Sequence, residues 1–295
     1  MNTERKKQAV GIFQVFMAAV LWGTAGTFAK YLFKNQISPF DLAQARITLA
    51  FILLFGFLGI FNRKLLRIDL RDLPYFVIIG FVGLALNQFA YLFTISLTNV
   101  ATAIFLQYLA PALILIYGLV SKTEKPQKLK FIALAAALLG GYLIVLGTST
   151  GLGLSTLGLI SGLASAFLYA FYSIYGKYGL AKYSPWTLLV WGFGIGTLAW
   201  SFYRFPWVTI ANNQSALPEF IYIALLATAV PFGLYLEGLK KLSPFKTGLI
   251  ATMEPVVGAL SAFVILGEVL NWIQVLGCAL VLTGVILIQT KQAAN

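Results

Sequence analysis

The chain carries two copies of one apolar pattern. From Tyr91 to about Val145, adding 144 reaches a matching position in the second half without a gap. Tyr91 meets Tyr235, Pro111 meets Pro255, Glu124 meets Glu268 and Gly140 meets Gly284. Earlier residues match with a small drift in the offset. Leu21-Trp22 aligns with Leu168-Tyr169 and Lys30 with Lys177 at 147, and Ser38-Pro39-Phe40 aligns with Ser184-Pro185-Trp186 at 146. A long apolar repeat permits few folds, because the two related halves must bury their faces against each other and share whatever lies between them.

The solvent of such a chain is lipid. Of the 295 residues 60% are hydrophobic and 10% charged, against roughly 25% charged in soluble domains. That much apolar surface cannot be hidden from water. A helical crossing takes about 20 apolar residues, and ten runs qualify: 8–31, 39–61, 74–97, 99–120, 131–147, 157–176, 185–205, 219–239, 245–267 and 271–289. The first has no convincing cleavage site and is too long for a signal-peptide core, so it is read as retained. The expected fold is an all-α polytopic membrane protein with ten transmembrane helices. Residues 1–147 form one five-helix repeat and 148–295 a second, together one membrane body.

Charge sets the orientation. With the N-terminus inside, the inner segments hold Arg5, Lys6, Lys7, Arg63, Lys64, Arg67, Arg71, Lys122, Lys125, Lys128, Lys130, Lys177, Lys182, Lys240, Lys241, Lys246 and Lys291, which is 17 of the 21 basic residues. The excess predicts that both termini are cytoplasmic. Five spans is an odd number, so the second copy enters from the opposite side and the repeats are inverted. The net charge of +12 is then a topology signal, and no nucleic-acid partner is expected. The chain has no histidine and one cysteine, Cys278. Zinc sites, histidine triads and internal disulfides therefore fall away, as does a nucleotide-binding glycine loop. No enzyme activity, cofactor or metal is expected. Short links such as Leu97-Thr98-Asn99 and Gly267 to Leu270 leave no external domain.

Several motifs in this order resemble the EamA-type branch of the drug/metabolite transporter superfamily. They are Leu21-Trp22-Gly23-Thr24, Arg46, Leu109-Ala110-Pro111, Met253-Glu254-Pro255, Leu266-Gly267-Glu268 and Gly277 to Gly284. The resemblance covers essentially the whole chain. It implies a bacterial inner-membrane exporter of amino acids and other small metabolites, with a cavity lined mainly by the first, third, fourth, sixth, eighth and ninth spans.

A few polar residues sit at membrane depth, where each needs a protein or water partner. Glu254 is either a coupling or substrate-ammonium site, or a protonated group bonded to a neighbouring helix or to backbone freed by Pro255. Arg46 either binds a carboxylate, pairs with Asp41, or reaches outward to the interface. The candidate cavity set is Trp22, Thr24, Asn87, Gln88, Tyr91, Gln107, Tyr108, Tyr169, Tyr172, Tyr235, Thr252 and Glu254. Pro111, Pro231 and Pro255 are candidate hinges or fixed kinks, since each removes a helix hydrogen bond. Ala133, Ala137 and Gly141 make a small-residue stripe that suits an internal helix contact or a dimer seam.

The reading that joins these features is a secondary exporter of small amphipathic metabolites, amino acids foremost, working by alternating access between the repeats. Its partners are a small-molecule substrate, the lipid bilayer and protons as coupling ion, and the protein is a monomer or weak homodimer. Efflux of drugs or other metabolites is the alternative within the class. A facilitative channel is the alternative outside it, disfavoured because the spans lack a continuous polar stripe.

Overall fold

The computed structural model describes residues 3–148, 150–266 and 269–290, and at positions 26, 27, 30, 31, 262, 265, 266 and 290 the backbone alone. The Lys30 side chain, Gly267, Glu268 and Lys291 lie outside what is described. In chain order the helical rods are α1 (Thr3–Lys34), α2 (Pro39–Phe61), α3 (Leu70–Leu97), α4 (Val100–Val120), α5 (Lys128–Leu146), α6 (Thr156–Gly179), α7 (Pro185–Trp200), α8 (Gln214–Lys241), α9 (244–266) and α10 (Trp272–Thr290). A short helix, Pro206–Asn212, leads from α7 to α8. Among the described residues there is no strand.

Eight rods contain stretches long and apolar enough to cross a membrane. The other two are α7, with 16 residues, and α9, which is interrupted at Thr252. Helix α7 stops at Trp200, short of the expected 205. Pro206 disfavours helical backbone at the residue before it, and Phe205 is extended, at φ −62° and ψ 131°. Large apolar residues such as Phe13, Phe57, Ile60, Val120 and Phe167 point outward, as a surface facing lipid tails requires.

The sequence repeat is reproduced in local geometry. Ser38 and Ser184 both cap a helix that begins with proline, accepting from the amides of Asp41 and Thr187 at 3.0 Å. Each satisfies one of the orphan donors of a helix start. At the next matched turn Asn99 and Ser243 cap α4 and α9. Helices α3 and α8 both widen into π-helical turns, Ile79–Leu86 and Leu225–Ala229. Helices α4 and α9 both break just before their prolines, α4 between Gln107 and Ala110 and α9 at Thr252.

Contacts between the halves pair reciprocally, as a twofold relation demands. A Cβ on Gly140 would lie 2.5 Å from the Gly277 carbonyl, and one on Gly284 would lie 2.6 Å from the Ala133 carbonyl. Under the offset of 144, Ala133 matches Gly277 and Gly140 matches Gly284. The small-residue stripe of α5 is thus an internal seam with α10. Gly141 departs from it and faces the ring of Phe105. Helix α2 packs on α7 in the same self-matching way, with Gly194 against Phe51 and Gly196 against Ile47. Near the lysine-rich ends, Lys182 meets Asp72 at 2.5 Å. The hydrogen bond it donates to that carboxylate raises the ammonium pKa above the ordinary lysine value.

Candidate functional site

Between the halves lies a cavity of about 40 Å³, room for a few waters and no more. Trp22, Arg46, Asn87, Gln88, Tyr91, Gln107, Tyr108, Tyr169 and Glu254 all line it. Thr24, Tyr172, Tyr235 and Thr252 do not. The Thr24 hydroxyl donates to the Leu21 carbonyl at 2.9 Å and Thr252 to the Leu249 carbonyl at 2.6 Å, each within its own helix. Tyr172 and Tyr235 stand behind the cavity in a ring cluster.

Glu254 is placed by the break in α9. The interruption at Thr252 starts a new helical piece at Met253, so Glu254 falls in a first turn, where backbone amides favour a carboxylate. Its Oε2 accepts from the Tyr108 hydroxyl at 2.7 Å and its Oε1 from Tyr91 at 3.4 Å. Tyr108 is itself at the break in α4. Two interruptions at matched positions therefore aim a carboxylate and a phenol at each other. Helix α1 closes on this point at Gly23, where a Cβ would lie 2.8 Å from the Glu254 carbonyl. That contact explains the glycine after Leu21-Trp22.

Arg46 is 5% exposed. Its Nε donates to Thr228 Oγ1 at 2.9 Å and its Nη2 to the Ala227 carbonyl at 2.7 Å. Pro231 stands four residues after Ala227 and has no amide proton, so it leaves that carbonyl without its usual helical donor. The π-turn of α8 supplies the rest: Thr228 Oγ1 donates in turn to the Ile223 carbonyl at 2.9 Å. Of the three alternatives for Arg46, pairing with Asp41 is ruled out by these contacts. Asp41 pairs with Arg204 at 3.4 Å, and Arg46 points into the cavity instead of outward to the interface. Arg46 and Glu254 both line the cavity, yet no ion pair joins them among the described residues.

Amides complete the polar wall. Gln107 Nε2 donates to Asn87 Oδ1 at 3.4 Å, and Gln88 Nε2 is buried with no partner. An unsatisfied buried donor is costly, which suits a group that waits for a ligand or water. Aromatic rings gather at the same cavity. Trp22 meets Phe232 edge to face at 5.0 Å and Tyr235 at a tilt at 5.6 Å, and Tyr169 meets Tyr108 edge to face at 6.0 Å and Tyr235 at a tilt at 5.6 Å. Phe232 was invisible as a site residue in the sequence, being one of 24 phenylalanines. So were the apolar liners Ala25, Ala29, Leu42, Leu92, Ile223 and Ala227. Only Ala227 carried a signal, its position four before a proline. Helix α2 also enters the wall, beyond the six spans the resemblance implies. Among the described residues no group of His, Cys, Asp and Glu could hold a metal ion.

The model of the EamA-like transporter family matches residues 9–146 and again 156–290. An uncharacterized inner membrane transporter of Salmonella typhimurium, YicL, is 31% identical over 98% of this chain and 96% of its own. The threonine/homoserine exporter RhtA of Escherichia coli K12 is 26% identical over 90% of this chain and 85% of its own. A crystal structure at 18% identity superposes with a TM-score of 0.76, covering 96% of this chain and 97% of that one, a likeness of fold.

Proposed function

The chain belongs to the EamA-like transporter family, a multi-pass integral membrane protein, and from that premise we propose that it exports small amphipathic metabolites, amino acids foremost. The observation that carries the substrate class is the separation of charges in one cavity. Arg46 and Glu254 line the same space without neutralising each other. A zwitterion satisfies both, its carboxylate on the guanidinium and its ammonium on the carboxylate. The rings of Trp22, Tyr108 and Tyr169 accept an apolar side chain, and Trp22 also offers a face to a cation. The threonine/homoserine exporters among the relatives are consistent with this class.

The mechanism we propose is alternating access between two inverted five-helix units, 1–147 and 148–295. In it α7 and α9 also cross, giving ten spans, and both termini face the cytoplasm. The 17 inner basic residues support that orientation. Under it, Ala25, Ala29, Leu42 and Leu92 lead from the site toward the outer face, and the ring cluster seals the cytoplasmic side. The cavity is too small for an amino acid, so substrate entry demands movement. Pro111 and Pro255, each just past a helix break, are the hinges of α4 and α9. Glu254 is the proton-coupling group, released from its tyrosines as substrate binds.

The test is counterflow of labelled amino acids in proteoliposomes, with and without a pH gradient. Saturable exchange of threonine-sized amino acids is expected, accelerated by the gradient. No exchange of any amino acid by folded protein would overturn the substrate reading.

A further inference from the structure

Below the ring cluster, helices α6 and α8 are fastened by a second set of contacts. Tyr169, Ser173 and Lys177 recur every four residues and so share one face of α6. Ser173 and Tyr235 hydroxyls are 2.7 Å apart. One turn on, the Lys177 ammonium donates to the carbonyls of Leu239 at 2.6 Å, Lys240 at 3.3 Å and Leu242 at 2.7 Å. These are orphan carbonyls at the end of a helix, where the backbone dipole is negative. All three ammonium protons are thus committed to one helix end, with no carboxylate taking part.

We propose that Lys177 is the latch of the cytoplasmic gate, closing by seating its ammonium on the terminal carbonyls of α8. An ammonium held by carbonyls alone releases without stranding a buried anion, which suits a contact made and broken every cycle. The proposal rests on the alternating-access reading and is independent of the cargo.

The experiment uses the full chain with Cys278→Ala and a reporter cysteine at Ala25→Cys, which lines the cavity. Labelling by an impermeant thiol reagent is timed from each face, in right-side-out and inside-out vesicles. Lys177→Met is expected to raise the cytoplasmic rate about tenfold by shifting the population of open gates, and Lys177→Arg to stay near the parent. The outer rate is expected not to rise with it. If Lys177→Met does not accumulate as folded protein, Lys177→Gln, which loses the charge and keeps a donor, replaces it with the same readings. An unchanged cytoplasmic rate in a folded variant overturns the latch. Equal labelling of the parent from both faces at once overturns alternating access itself. Labelling needs no substrate, so a lack of amino-acid flux with the cytoplasmic rate shifted would remove the cargo reading alone.

Discussion

Two tyrosine hydroxyls hold the Glu254 carboxyl, and the roles of those three residues separate by substitution. Glu254→Gln is expected to retain gradient-free counterflow while losing acceleration by a pH gradient, measured in the same vesicles. Full acceleration in that variant would remove the coupling role. Tyr108→Phe deletes the 2.7 Å bond, and a hydrogen bond to a charged group contributes about 1.5–3 kcal/mol. Its transport is expected to fall roughly tenfold or more with the pH profile displaced. A Tyr108→Phe profile that superimposes on the parent would make the bond structural only. Arg46→Lys keeps the charge but cannot reproduce the paired bonds to Thr228 and Ala227. The half-saturation concentration for carboxylate-bearing substrates should rise about tenfold or more, equivalent to about 1.4 kcal/mol, and that of a decarboxylated amine should not. The charged pair was legible in the sequence, because ionised groups at membrane depth stand out. The partner of Arg46 was not. Asp41 is near in the chain, but helix geometry turns it to Arg204, and the acceptor that Arg46 found is a main-chain carbonyl with no letter of its own.

At the scale of elements, interruptions place the chemistry. The π-turns of α3 and α8 and the breaks in α4 and α9 occur at matched positions. Hydropathy saw only continuous apolar runs there, since it reports composition and is blind to which carbonyl an amide chooses. The prolines marked the places, Pro231 among them although the residue 144 positions before it is Asn87. Pro231→Ala restores an amide four residues beyond Ala227 and competes for the carbonyl that Arg46 uses. The variant is expected to fold with unchanged or higher melting temperature and to transport several-fold more slowly. Faster transport would show that the freed carbonyl is dispensable. The α5–α10 seam tolerates less. Gly140→Leu places its first carbon 2.5 Å from the Gly277 backbone, and overpacking of this kind costs about 1–3 kcal/mol. A melting temperature lowered by several degrees checks it.

For the whole molecule, the repeat was the most informative signal, and it survives in caps, π-turns and reciprocal glycine contacts. Span lengths were less legible. Helix α7 ends at Trp200, ahead of the extended Phe205 that precedes Pro206, and α9 is two pieces joined at Thr252, features that a window average smooths over. The cavity liners were half legible: polar residues were found, but alanines and Phe232 were not, because nothing distinguishes them from packing until the helices are placed. The orientation is checked by reporter fusions at the two ends, both of which are expected on the cytoplasmic side. One consequence follows from the small volume of the cavity, about 40 Å³. Ions and protons cross low-dielectric matter along continuous files of water, and a cluster of Trp22, Tyr169, Phe232 and Tyr235 rings interrupts any such file. The protein in this conformation is therefore expected to insulate, so that a cell can carry many copies of it without short-circuiting its membrane.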